Sequence, residues 1–138
     1  MTDERRISRT AACSCGQLRV ICTGEPVRLS MCHCLECQKR TGSPFGVQAR
    51  FDRSQVTTEG TVTEFERVGD EGNRITFRFC PVCGSTVYWT LSGLPDLVAV
   101  AAGNFADPDL PAPRISVYES RRHSWVVVPD HPEMQRFD

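Results

Sequence analysis

The chain has no apolar run long enough to cross a membrane, and Met1–Arg6 leads into no apolar stretch of the kind a secretory signal needs. It also lacks a charge imbalance. Sixteen Lys and Arg stand against 17 Asp and Glu, a net charge of -1, so no overall field draws it to nucleic acid or an anionic bilayer. Internal repeats, low-complexity tracts and linkers are missing too, and 138 residues suit one domain with a respectable core and no second module. These absences predict a single domain over residues 1–138, cytoplasmic, with no membrane or nucleic-acid partner.

Against that plain background stand eight cysteines. In a reducing compartment, clustered cysteines are metal ligands or redox centres more often than disulfides. Seven of the eight fall in three short clusters: Cys13-Ser14-Cys15-Gly16, Cys32-His33-Cys34-Leu35-Glu36-Cys37 and Cys80-Pro81-Val82-Cys83-Gly84. The first and third complement each other. Each supplies two thiolates followed by a glycine, and Gly16 can take φ > 0 and turn backbone N–H groups toward sulfur. Together, Cys13, Cys15, Cys80 and Cys83 make a closed four-cysteine structural zinc site. A redox pair at Cys80/Cys83 is the rival, but the βαβ pattern that accompanies such pairs is missing.

The middle cluster leaves three sulfurs, from Cys32, Cys34 and Cys37, and a fourth position whose occupant is open: Cys22, His33, a partner, or a substrate. Cys22 shares a face with Leu18 and Val20 and reads as a small core residue. His33 lies between two cysteines on an extended segment and points away from their face. A three-thiolate zinc with a free position suits binding of another thiolate.

Period-2 alternation and turn signals predict strands at Leu18–Cys22, Val27–Met31, Val47–Phe51, Gln55–Glu59, Val62–Val68, Arg74–Cys80, Thr86–Leu91, Leu97–Ala102, Ile115–Tyr118 and Trp125–Val128. The turn signals include Ser92-Gly93-Leu94-Pro95. One short helix is expected over Leu35–Arg40, stopped by Thr41-Gly42. The class is all-β, mainly strand with one short helix.

The joint order of Cys13-x-Cys15-Gly16, Cys32-His33-Cys34-x-x-Cys37-x-Lys39-x-Thr41-Gly42-Ser43-Pro44-Phe45, Phe79-Cys80-Pro81-Val82-Cys83-Gly84-Ser85 and Ser120-Arg121-Arg122-His123-Ser124-Trp125 resembles the glutathione-dependent formaldehyde-activating enzyme family, which includes the centromere protein V domain. The resemblance covers about Ala12 to Trp125. It implies an Mss4-like zinc-binding β fold and two zinc ions per chain: a structural one on Cys13, Cys15, Cys80 and Cys83, and a second, open to partial occupancy, on Cys32, Cys34 and Cys37. It further implies a carbon–sulfur lyase that reversibly joins glutathione and formaldehyde, with the second zinc as the catalytic one.

A glutathione-like adduct carries carboxylates, for which Lys39, Arg40, Arg50, Arg121 and Arg122 are the cationic candidates. Thr41 and Ser43 are candidate ligand contacts or caps of the helix end. His123 is a candidate general acid/base, or a histidine that orders the chain beside Trp125. The alternatives to the lyase are a non-catalytic zinc-stapled binding module and a thiol or redox sensor. Exposed strand edges allow a homodimer.

Overall fold

The computed structural model describes residues 7–138, so the polar start Met1–Arg6 lies outside it. Eleven strands and one α-helix are present: β1 (Ser8–Ala12), β2 (Arg19–Thr23), β3 (Arg28–Cys32), α1 (Leu35–Thr41), β4 (Gly46–Asp52), β5 (Val56–Glu59), β6 (Thr63–Val68), β7 (Arg74–Phe79), β8 (Thr86–Leu91), β9 (Leu94–Ala101), β10 (Ile115–Val117) and β11 (Gln135–Arg136). They build a three-stranded sheet ordered β1-β2-β5 and an eight-stranded sheet ordered β11-β10-β3-β4-β9-β8-β7-β6. The pairings are antiparallel except β10 with β3 and β10 with β11, which run parallel. The fold is mainly β, consistent with the Mss4-like fold that the family resemblance implies.

The core forms where the small sheet covers one face of the large one. Leu18 and the inward side chains Val20 and Cys22 of β2 pack against Ala49 and Phe51 of β4 and Val98 and Val100 of β9. Cys22 is fully buried there, an apolar filler. The chain passes between the sheets after β4 through a short 3₁₀ turn. Ser54 N–H donates to Asp52 Oδ1 (3.0 Å), and Asp52 N–H donates to Gln55 Oε1 (2.8 Å). This reciprocal cap satisfies donors that a sharp corner would otherwise strand.

The other face of the large sheet carries α1 and a broad cavity. Cys34 is the N-cap of α1, its sulfur accepting from Cys37 N–H, and Gly42 ends the helix at φ 69° with its N–H on Gln38 O. Only a residue tolerant of left-handed backbone closes a helix this way. The predicted helix is therefore present, one residue longer.

Four expectations need correction. Trp125–Val128 is not a strand. Val126 and Val128 are buried against Met31 while Trp125 and Val127 are exposed, so burial alternates, yet no neighbouring strand offers a ladder. The hairpin between β8 and β9 turns on Ser92 and Gly93 alone, and β9 already begins at Leu94. Pro95 fits because β4 pairs with β9 only as far as Leu97, leaving no donor owed on that side. β1 and the two-residue β11 were not expected: both are polar, and each is fixed by pairing with another strand rather than by its own pattern.

Candidate metal centres and active site

Two cysteine clusters converge. The sulfurs of Cys13, Cys15, Cys80 and Cys83 all lie within 4.8 Å of one another, and so do those of Cys32, Cys34 and Cys37. In the first cluster the Cys13–Cys15 and Cys15–Cys80 separations are both 3.6 Å. Four sulfurs held at ~2.3 Å from a tetrahedral zinc stand ~3.8 Å apart, so these residues fit the ion.

The local backbone explains how the cluster forms. Gly16 and Gly84 follow the second cysteine of each knuckle at φ 83° and 81°. The turns aim Leu18 N–H at Cys13 Sγ (3.3 Å), and Val82 and Cys83 N–H at Cys80 Sγ (3.3 and 3.5 Å). Gln17 Nε2 adds a further donor to Cys80 Sγ at 3.0 Å. These donors stabilise sulfur as thiolate, the form a metal needs. The site joins the β1–β2 turn to the β7–β8 turn.

The second cluster is built where β3 ends and α1 begins. Cys32 closes the strand, Cys34 caps the helix and Cys37 sits one turn in, so a strand-to-helix junction brings three sulfurs together. Hydrogen bonds from the Cys32 and Cys37 thiols hold Cys34 well below the usual thiol range, while the same contact with Cys34, then Cys37, pushes Cys32 up. His33 turns the opposite way: it is fully buried, and Nε2 meets Ser116 Oγ at 2.9 Å. Burial, partly opposed by Glu119, lowers its basicity. Its backbone N–H donates to Val117 O (3.1 Å), tying the cysteine segment to β10. Cys22, in the core, is also absent from this cluster.

The three sulfurs edge a cavity of about 680 Å³ on the open face of the large sheet. Five arginines line it (Arg28, Arg40, Arg50, Arg67 and Arg121) against four acidic residues. Among the described residues, none of the five makes an ion pair. Arg40, on α1, lays its guanidinium over Trp89 (4.3 Å to the ring centre), and Arg67 lies over Phe77 (5.4 Å). Burial, then the neighbouring Arg28, pushes Arg50 down from its ordinary value. Tyr118 also lines the cavity, at an unusual φ of 58°, and burial, then Glu71, raises its phenol. It is the one side-chain hydroxyl among the described lining residues.

The candidates from sequence fall in different places. Arg40, Arg50 and Arg121 line the cavity with the three cysteines. Lys39 does not; it is exposed and pairs with Glu36 at 3.5 Å. Thr41 Oγ1 donates to Cys37 O (2.9 Å) and accepts from Ser43 N–H (3.0 Å), closing the helix end away from the cavity lining. Arg122 is taken by Glu119 at 3.2 Å. His123 Nε2 donates to Gln38 Oε1 (2.9 Å) and its ring stands edge-on to Trp125. Gln38 in turn donates to His33 O (2.9 Å) and Arg121 O (3.2 Å), so His123 reaches the cysteine segment only through Gln38. Arg28, Arg67, Gln48, Trp89 and Tyr118 line the cavity unannounced by any local motif. Strand register, which sets which face each occupies, could have pointed to the first four; Tyr118 reaches the cavity through its left-handed backbone just after β10.

Comparison with known proteins agrees with this arrangement. The family model described as glutathione-dependent formaldehyde-activating enzyme matches residues 8–121. No curated protein matches the chain. Among solved structures, the crystal structure of a Rhodobacter sphaeroides protein is similar in fold, with a TM-score of 0.55 at 17% identity over 74% of this chain and 90% of that one.

Proposed function

The chain belongs to the glutathione-dependent formaldehyde-activating enzyme family, and from that premise we propose that it is a zinc-dependent carbon–sulfur lyase acting on a small thiol adduct of the S-hydroxymethylglutathione kind. The observation that carries this reading is the convergence of Cys32, Cys34 and Cys37 at the edge of a large cavity lined by unpaired arginines. Cys13, Cys15, Cys80 and Cys83 would hold a structural zinc, and Cys32, Cys34 and Cys37 would hold a second, able to take a substrate thiol. A zinc ion on three thiolates supplies affinity for a further thiolate and favours loss of the thiol proton.

The chain's own residues do the rest. The arginines draw an anionic thiol into the cavity, and Trp89 and Phe77 keep Arg40 and Arg67 extended along its wall. Joining thiol and aldehyde forms the S–C bond, releases the thiol proton and leaves an oxygen that needs one. Tyr118, whose phenol burial pushes up, is the lining hydroxyl able to donate to that oxygen and take the proton back in cleavage. The Gln38 clamp on His33 and Arg121 keeps the sulfurs and the cavity rim in register. One domain over residues 1–138, working in the cytoplasm where thiols stay reduced, suits this chemistry.

The test is zinc content together with adduct formation from glutathione and formaldehyde, for the wild type and Cys34→Ala. Two zinc ions falling to one with the fold kept, and an accelerated reaction lost in the variant, support the lyase. A single zinc in the wild type, unchanged by Cys34→Ala, would sink the second site. A rate no faster than the uncatalysed one would remove the lyase.

A further inference from the structure

The register of β3 on β4 places three cross-strand pairs in one column on the cavity face: Cys32 opposite Gly46, Ser30 opposite Gln48, and Arg28 opposite Arg50. Alternate residues of a strand share a face, so the column runs unbroken along two neighbouring strands. Its chemistry changes in steps: sulfur at one end, an amide resting on a buried hydroxyl in the middle (Gln48 Nε2 to Ser30 Oγ, 3.4 Å), two guanidiniums at the other end. From Cys32 to Arg28 is four residues of extended chain, about 13 Å.

The far end is the anomaly. Like charges directly opposite each other destabilise a sheet, yet Arg28 and Arg50 face one another. Both Nε atoms are buried with no hydrogen-bond partner. Among the described residues, no carboxylate pairs with either guanidinium. Neither residue serves the core, which lies on the opposite face of the sheet. Gly46, at the sulfur end, adds no side chain to the column; a Cβ there would come within 2.9 Å of Arg40 Nη2 and 3.6 Å of Cys37 Cβ.

We propose that Arg28 and Arg50 form an anion fork that receives the terminal carboxylate of a peptide-type thiol whose sulfur lies at Cys32, Cys34 and Cys37 and whose amide lies along Gln48. The inference deepens the lyase reading and rests on it for the sulfur end alone. Thiol, amide and carboxylate in that order match the column step for step, and planar guanidiniums present paired donors to a carboxylate. A thiol without a carboxylate lacks the third contact, so the fork sets substrate class.

The test uses S-methylglutathione, whose sulfur is blocked but whose carboxylates are intact, its diethyl ester, and glutathione itself. Binding to the zinc-loaded protein is followed by calorimetry for the wild type, Arg28→Gln/Arg50→Gln and Cys34→Ala. The expected result is S-methylglutathione binding that weakens about tenfold or more in the double arginine variant, falls with added salt, and persists in Cys34→Ala. The diethyl ester should bind wild type and double variant alike. Undiminished S-methylglutathione binding in the double variant, or none in the wild type, would overturn the fork. Tighter binding of inorganic phosphate than of S-methylglutathione would overturn its assignment to a carboxylate.

Arg50→Lys keeps the charge and loses the paired donors, so it covers the case of a double variant that does not fold. Affinity equal to the wild type in Arg50→Lys would also overturn the fork. Glutathione binding the wild type no more tightly than S-methylglutathione strikes the lyase reading alone, because the arginine dependence of the sulfur-blocked ligand is measured separately.

Discussion

Replacing Cys80 by alanine removes one of four sulfurs from the cluster that joins residues 13–15 to residues 80–83. The cross-link closes a loop of 65 residues between Cys15 and Cys80. Treated as a chain constraint, a loop of that size is worth about 4 kcal/mol, and a full structural zinc site contributes more, on the order of 10 kcal/mol. Cys80 is also fully buried and accepts from Gln17, Val82 and Cys83, so alanine leaves donors without their acceptor. A domain of this size has about 5–15 kcal/mol in all. Cys80→Ala is thus expected to lower the melting temperature by at least about 12 °C or to abolish folding. Thermal unfolding by circular dichroism, with zinc content measured on the same samples, is the assay, and the wild type with a strong chelator is the parallel arm. Cys34→Ala, whose cluster spans only six residues from Cys32 to Cys37, should shift melting far less. A Cys80→Ala protein melting within about 3 °C of the wild type, alongside a wild type indifferent to the chelator, would refute the structural-zinc reasoning.

Glu119 is held down to about 2 by its hydrogen bond from Arg136, with Ser116 and His33 adding to it. A lowered carboxylate stabilises the fold above its unfolded pKa, and that contribution is lost as pH falls from about 5 toward 2. Arg136 is half exposed, so screening reduces the contribution to about 2 kcal/mol. Glu119→Gln should flatten the acid limb of the stability curve there, and an unchanged curve would count against it. Gly60→Ala should cost about 2 kcal/mol or more, because φ is 102° and the new Cβ meets the Gln17 carbonyl. Urea unfolding reads it, and a loss under about 0.5 kcal/mol would contradict the geometry. Gly46→Ala should leave stability within about 1 kcal/mol, since Arg40 can swing its end aside. It should raise KM for the thiol by displacing Arg40 from Trp89, and unchanged kinetics would remove Arg40 from the binding wall.

How much of this was legible before folding depends on how far each feature reaches along the chain. The cysteine knuckles are local, and so are the αL stop at Gly42 and the turns at Gly16 and Gly84; spacing and residue type were enough to place them. Trp125–Val128 carried the alternation of a strand, and half of it is buried, but hydrogen bonding needs a neighbour that the pattern does not report. β11 is the converse case. Gln135 and Arg136 have no strand signature, and they pair because Glu119 holds Arg136 against β10 at 2.7 Å.

The cavity wall is the most delocalised feature of all. Arg28 and Arg50 meet across 22 positions of sequence, and Trp89 and Phe77 join them through the long-range β4–β9 pairing and two further hairpins. Taken singly in sequence, each arginine is an ordinary surface cation, and no count of charges separates it from Arg122, which Glu119 consumes. What distinguishes the cavity arginines is that, among the described residues, none has an ion-pair partner, a property of the assembled sheet. The cysteine clusters of such a fold can therefore be read from spacing, whereas the arginine wall of the cavity is written in strand pairing.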